Sequence, residues 1–258
     1  MNSKRVNVAG LAVLAGLLLL WELFSRWNAN LQSYFPPPSA VFGALIQLSL
    51  ARELSGHLMA TLARFFAGYL MAAGLAVSMG IVLGYFRLAH SLFDVSIELL
   101  RPMPSVAIIP VAILLLGIGN AMMVAVTVYA CAWPILLNTI DGVRSIDRTL
   151  IDTGRTFGLG RWRILRDIAL PAAAPYIATG LRVSLPIALI LVTTSEMVIG
   201  GSGLGYFILD EERSFRTTGM YAGIVVVALL GYALNGLFVA LESRAMAWRH
   251  GMRTKETL

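Results

Sequence analysis

Apolar residues fill six stretches of the chain, and five of them reach the about 17–25 residues that a membrane-crossing helix needs. The six stretches are residues 8–24, 62–86, 105–116, 121–140, 176–199 and 218–241. The third is short, so its helix is expected to begin earlier, near Leu100. It is separated from the fourth by Gly117 and Gly119, which predict a tight turn. The pattern predicts an all-α polytopic membrane protein with six transmembrane helices.

The first apolar stretch has two possible interpretations, a cleaved signal peptide or a membrane anchor. Lys4 and Arg5 precede it, as in a signal peptide. The stretch is longer than the about 7–15 apolar residues of such a peptide, and no small-residue cleavage site follows it. We therefore expect an anchor. Pro36–Pro38 then force an extended segment, and residues 40–50 predict a short interfacial helix that Ser39 caps.

Composition supports a lipid environment. The chain is 58% hydrophobic and 13% charged, whereas a soluble domain carries about 25% charged residues. Its formal charge is +6. With the N-terminus inside, 15 of the 20 Lys and Arg residues fall on the cytoplasmic side, and six spans return the C-terminus there. This bias accounts for the basic charge without nucleic acid and predicts that both termini are cytoplasmic.

Few side chains point to redox or metal chemistry. Cys131 is the single cysteine and lies within an apolar run, so no internal disulfide is possible and a buried thiol is expected. The three histidines are scattered along the sequence. No metal site is predicted.

The longest inner loop covers residues 141–174. Asp147 is placed to cap a helix over 148–157, and Gly158 to end it. A second helix is expected over 161–168, ended by Leu170 and Pro171 before the chain re-enters the membrane. The turn exposes Phe157, Leu159 and Trp162 among arginines. Such apolar residues fit a partner surface or the lipid headgroup zone, and the pattern alone does not choose.

The loop resembles the EAA loop of ABC-type importer permeases. Asp152-Thr153-Gly154 occupies the Glu-Ala-Ala position, Gly158 the required glycine, and Ile168-Ala169-Leu170-Pro171 the required end. The chain departs from the family at Asp152, which is shorter than Glu, and at Thr153-Gly154, which lacks the two helix-favouring alanines. Flanking segments 101–104, 109–110, 117–119, 196–197 and 201–206 resemble the nitrate, sulfonate and taurine branch.

The resemblance implies a mechanical role. Two permease copies, expected to be a homodimer, would form one pathway with two ATPase subunits. A periplasmic or lipid-anchored solute-binding protein would deliver the cargo. The loop would insert into the ATPase. Phe157, Leu159 and Trp162 are then candidate anchors around Gly158, and Asp152 and Arg155 candidate polar contacts. The cargo implied is a nitrate-, sulfonate- or taurine-like anion or a small organic compound.

The chain is expected to be non-catalytic. Its lysines are Lys4 and Lys255, so it has no Gly-Lys-Ser/Thr phosphate loop. ATP and Mg²⁺ would bind the partner ATPase, and no cofactor is expected on this chain. A self-contained carrier or channel would need internal repeats and midplane charges, and a membrane enzyme would need paired acid, base or metal groups. Neither pattern is evident.

Four residues are candidates for the substrate pathway: Glu196, Pro104, Pro110 and Pro186. An intramembrane carboxylate is costly, so Glu196 either faces the pathway or pairs with Arg213 or Arg216. Prolines inside spans can kink helices and shape a cavity. Arg182 is expected to extend to the lipid headgroups.

The predicted domain organisation has three parts. Residues 1–60 hold the first span, the proline-rich segment and the interfacial helix. Residues 61–243 form the permease core, including the loop 147–171, which we call the coupling loop. Residues 244–258 form a basic cytoplasmic tail.

Overall fold

The computed structural model describes residues 8–27, 32–51 and 53–246, and these residues form helices and turns without a strand. The helices are α1 (Val8–Trp27), α2 (Pro38–Leu50), α3 (Glu53–Tyr85), α4 (Arg87–Leu100), α5 (Ile109–Leu116), α6 (Asn120–Arg144), α7 (Arg148–Thr156), α8 (Arg161–Ile199), α9 (Leu204–Arg213) and α10 (Thr217–Ala245). Among the described residues, five helices are long and apolar enough to span a membrane. The all-α membrane fold is confirmed.

The third predicted span is a broken helix pair. The expectation of one helix from about Leu100 to Leu116 is wrong, because α4 and the segment Ser105–Leu116 meet at an angle of 92°. Two prolines, Pro102 and Pro104, lie at the bend and cannot donate backbone hydrogen bonds. The Leu100 carbonyl accepts from the Met103 backbone N–H at 3.2 Å and from the Tyr129 hydroxyl at 2.7 Å. Counted as one span, this pair brings the total in the described chain to six.

The core lies where α3, α6 and α8 pack together. Phe65, Ile135 and Val192 are fully buried there, and Cys131 is buried as predicted. Small residues allow the close approach of α3 to α6, since a Cβ added at Gly80 would lie 2.6 Å from Thr139 Cβ. This rigid three-helix core carries the segments described below at its two ends.

The start of α2 differs from the prediction. The helix begins at Pro38 with Pro37 at the cap position, so the expectation that Ser39 caps it is wrong. Proline is favoured at this first position because the missing N–H would have no partner there. The Glu22 carboxylate accepts from the Ser39 backbone N–H at 3.0 Å and from its hydroxyl at 2.8 Å. A side chain of α1 therefore does the capping that we expected from within α2.

The coupling loop enters the membrane without a break. We predicted that Leu170 and Pro171 end the helix over 161–168, and this is wrong because α8 continues from Arg161 to Ile199. Residues Ile164–Ala169 form a π-helical turn directly before Pro171. This wider turn lies where the proline ring would otherwise meet the carbonyl four residues earlier. The loop and the core are consequently joined by one continuous helix.

Candidate coupling loop and distal polar cluster

The coupling loop is ordered by defined caps at both ends of α7. The Asp147 carboxylate accepts from the backbone N–H of Thr149 at 2.8 Å, which confirms the predicted N-cap. This bond lowers the pKa of Asp147 and keeps its charge at the positive end of the helix. At the other end, Leu159 N–H donates to Gly154 O at 3.0 Å and Gly158 N–H to Arg155 O at 2.9 Å. This pair of bonds is the Schellman motif.

Gly158 makes that turn possible. Its φ is +73°, in the left-handed region that glycine adopts without a Cβ penalty. A Cβ at this position would meet no atom within 4 Å, so the requirement is one of backbone conformation rather than space. The glycine predicted from the sequence to end the helix therefore ends it.

The turn presents a short apolar surface, which we call the knob, residues 157–162. Phe157 is 80% exposed and Trp162 is 72% exposed. Leu159 is half-buried and lies under the turn, where it approaches Gly154. Of the three predicted anchors, two are thus free at the surface, and the third supports the turn from below.

The two polar candidates of the loop, Asp152 and Arg155, pair with each other. Arg155 Nη1 lies 3.0 Å from Asp152 Oδ1, one turn apart on an exposed face of α7. Gly154 lies on the opposite, buried side, where an added Cβ would approach Ile168 Cδ1 to 2.8 Å. Gly154 stands where the family has an alanine, and its lack of a side chain lets α7 lie close to the π turn of α8. Helix α7 forms despite this glycine.

Leu170 and Pro171 lie where the π turn passes into the regular part of α8. Leu170 is half-buried and Pro171 is exposed. They are therefore placed at the foot of the coupling loop and not on the knob.

A second polar site lies at the opposite end of the core, where α6 begins and α8 ends. It consists of Thr61, Arg64, Asn120, Glu196 and Ser202, which we call the distal polar cluster. Glu196 is fully buried, and Arg64 Nη1 lies 2.8 Å from its Oε1. The Thr61 hydroxyl is 2.9 Å and 3.0 Å from the two carboxylate oxygens. Two side chains of α3 therefore meet this one carboxylate of α8.

Four of the five N–H groups of Arg64 have hydrogen-bond partners. Its Nε donates to Asn120 Oδ1 at 2.8 Å, and its terminal nitrogens donate to the carbonyl and hydroxyl of Ser202 at 2.8 and 2.6 Å. These hydrogen bonds offset part of the cost of removing both charges from water. The cluster therefore ties α3 and α6 to the loop after α8.

The backbone of that loop completes the cluster. Gly205 N–H donates to Glu196 Oε2 at 3.0 Å, and Leu204 N–H donates to the Thr61 hydroxyl at 2.8 Å. Gly203 has φ +106°, and a Cβ there would collide with the Glu196 carboxyl group at 2.1 Å. The glycine-rich segment 200–205 thus forms a turn that wraps a buried carboxylate.

The predicted pairing of Glu196 with Arg213 or Arg216 is wrong. Arg216 lies instead 2.5 Å from Glu211 and 3.7 Å from Asp210, and Glu196 pairs with Arg64. Arg64 is 132 residues away in the sequence, and the chain gave no local signal for the contact. The one available sign of this pair was that Arg64 and Glu196 have opposite charges and both lie inside predicted spans.

The three candidate prolines lie in different places. Pro104 precedes the turn Ser105–Ile108 at the α4–α5 bend, and Pro110 lies in the first turn of α5. Pro186 lies inside α8 and lines a groove of 450 Å³ between α8 and α10, together with Arg182 and Asn235. The structure does not bring Glu196 and these prolines into one site.

Comparison with known proteins identifies the chain. The family model described as binding-protein-dependent transport system inner membrane component matches residues 72–246. A putative aliphatic sulfonates transport permease protein, SsuC, of Bacillus subtilis is 29% identical, with 93% of this chain and 87% of the relative covered. The taurine transport system permease protein TauC of Escherichia coli is 28% identical, with 96% and 92% covered.

A solved structure of the MetNI methionine ABC transporter in an inward-facing conformation has a similar fold. The TM-score is 0.62 at 20% identity, and the match covers 73% of this chain and 94% of that chain. The chain therefore belongs to the family of binding-protein-dependent transport system inner membrane components, the non-catalytic multi-pass permease subunits of ABC importers, which work with an ATPase and a solute-binding protein.

Proposed function

We propose that the knob is the contact through which this permease receives the motion of its ATPase. The observation that carries the proposal is the exposure of Phe157 and Trp162 on a turn fixed by two backbone hydrogen bonds. Large aromatic side chains held rigidly at a surface are typical anchors of protein interfaces. The continuous α8 offers a stiff connection from the knob to the core. The exposed Asp152 and Arg155 are proposed to make polar contacts with the ATPase beside the knob, and Leu170 and Pro171 to hold the foot of the loop.

The proposed assembly is a homodimer of this chain with two ATPase subunits, which bind ATP and Mg²⁺. The importer lies in the bacterial inner membrane, with both termini of the permease in the cytoplasm. The excess of arginines in and around the coupling loop supports this orientation. The distal polar cluster then lies near the periplasmic side, where the solute-binding protein docks.

The orientation predicts opposite labelling of two exposed positions. Ile118, in the turn between α5 and α6, is 75% exposed, and Phe157 is 80% exposed. Ile118→Cys is expected to react in intact cells with a maleimide that cannot cross the membrane, and Phe157→Cys only after the cells are opened. Cys131 is buried and serves as the unreactive background. Labelling of Phe157→Cys from outside would reverse the proposed topology.

We propose a small sulfonate-type anion as the cargo. The names of two relatives, for aliphatic sulfonates and taurine, support this class. The groove at Pro186 supports it as well, because Arg182 and Asn235 are polar groups in an otherwise mostly apolar lining. A guanidinium and an amide can hold a sulfonate through charge-assisted hydrogen bonds. Pro104 and Pro110 are proposed to let the bent α4–α5 segment move as the pathway opens.

Substitution of Arg182 tests the cargo and the groove together. In the complete importer, Arg182→Gln is expected to raise the KM for taurine uptake about tenfold, the effect of losing about 1.4 kcal/mol of binding. Arg182→Lys keeps the charge and is expected to retain most of the affinity. Unchanged KM in both variants would mean that Arg182 extends to the headgroups instead. Failure of the wild type to take up any sulfonate would reject the cargo class.

A further inference from the structure

A cleft of 1020 Å³ opens on the coupling-loop side of the molecule. Its walls come from the junction of α3 and α4, the end of α6, α7 and the start of α8. Four arginines line it, Arg87, Arg144, Arg155 and Arg161, with the single carboxylate of Asp152. The cleft is therefore a concave and strongly basic surface beside the convex knob, and the two share Arg161.

The positive charge of the cleft is largely uncompensated. Asp152 pairs with Arg155 at 3.0 Å. Within the described part of the chain, Arg87, Arg144 and Arg161 make no side-chain hydrogen bond or ion pair. Like charges gathered around one cavity repel each other, and this repulsion falls when an anion occupies the space between them. The charge distribution thus favours an anionic ligand.

The apolar part of the cleft indicates which anion. Phe86 is 53% exposed and Leu88 is 75% exposed, and both lie beside Arg87. The membrane-spanning helices α3 and α6 end at Tyr85 and Arg144, so the arginines begin at the depth of the lipid headgroups. Basic pockets between membrane helices on the cytoplasmic side bind anionic headgroups. A free phosphate would make no favourable contact with the exposed apolar side chains.

We propose that this cleft binds the phosphodiester headgroup of an anionic phospholipid. The phosphate oxygens accept hydrogen bonds from Arg87 and Arg144, and the acyl chains lie along Phe86 and Leu88. A bound lipid would bridge α4 to α7 and hold the coupling loop against the core. This inference does not depend on the proposed cargo or on the knob contact.

The test measures lipid-dependent thermal stability of the full-length permease in detergent. Phosphatidylglycerol is expected to raise the Tm of the wild type by about 2–4 °C over phosphatidylcholine. Arg87→Gln combined with Arg144→Gln should abolish this shift, since both residues are exposed and removing them disturbs no packing. The matched control, Arg166→Gln with Arg244→Gln, removes two exposed arginines outside the cleft and should keep the shift.

Three results would overturn the proposal. Equal shifts in the cleft variant and the control variant would mean that lipid binds the basic surface without a site. An equal shift with inorganic phosphate would assign the cleft to a soluble anion. No lipid shift in the wild type, together with loss of the ATPase from the cleft variant on purification, would make the cleft a protein contact.

Discussion

Replacing Glu196 by alanine is expected to lower the free energy of unfolding by about 3–5 kcal/mol, because it leaves Arg64 buried without its counter-charge. The carboxylate is fully buried and accepts from Thr61, Arg64 and Gly205. Its loss removes all of these bonds at once. The measurement is the thermal unfolding of the purified permease in detergent, compared with the wild type.

Matched variants separate charge from packing in this prediction. Glu196→Gln keeps the shape but loses the charge, and its destabilisation should fall between wild type and alanine. Glu196→Met with Arg64→Met removes both charges and should cost less than the alanine variant, since no unpaired charge remains. Glu212→Ala removes an exposed carboxylate from α9 and should change stability by less than about 0.5 kcal/mol. A Glu196→Ala protein as stable as the wild type would show that the distal polar cluster does not stabilise the fold.

Replacing Gly158 by valine is expected to abolish transport while leaving membrane insertion and the core intact. The φ of +73° is a conformation that a β-branched residue adopts only with strain of about 1–3 kcal/mol. The turn would relax, and Phe157 and Trp162 would lose their fixed positions. The position has open space around it, so no core contact is disturbed.

The neighbouring glycine supplies the control for this prediction. Gly160 has φ −67° and equally open surroundings, so valine there adds the same bulk without backbone strain. Gly160 also belongs to the knob, so its valine variant measures the effect of added bulk at this surface, and it is expected to retain more transport than Gly158→Val. Gly158→Asn, which tolerates the left-handed region, should recover part of the activity. Normal uptake by the Gly158→Val importer would contradict the role of the turn.

The elements that could be predicted from the sequence are those set by local signals. Apolar runs of the right length located the spans, and Asp147 and Gly158 marked the ends of α7. These features depend on residues close together in the chain, where periodicity and caps act. The knob residues followed from the same loop pattern, although the half-buried position of Leu159 did not.

The distal polar cluster could not be predicted in the same way. The ion pair of Arg64 and Glu196 joins two helices that are far apart in sequence, and no local pattern specifies which buried charges meet. The prolines led to two wrong helix boundaries, one at a continuous helix and one at a bend. Pro171 is accommodated by a π turn, whereas the two prolines before Ser105 accompany a bend of 92°. Whether a helix continues or bends at a proline depends on the tertiary contacts around it, such as the hydrogen bond from the Tyr129 hydroxyl to the Leu100 carbonyl.

Co-purification tests the central claim most directly. The tagged chain, expressed in its native host, is extracted from membranes in mild detergent, and the subunits recovered with it are quantified. The account predicts equal amounts of permease and an ATPase whose activity is retained, and loss of that ATPase when Phe157→Ala is combined with Trp162→Ala. Recovery of the permease alone, carrying solute without ATP, or full ATPase recovery with the double variant, would contradict it.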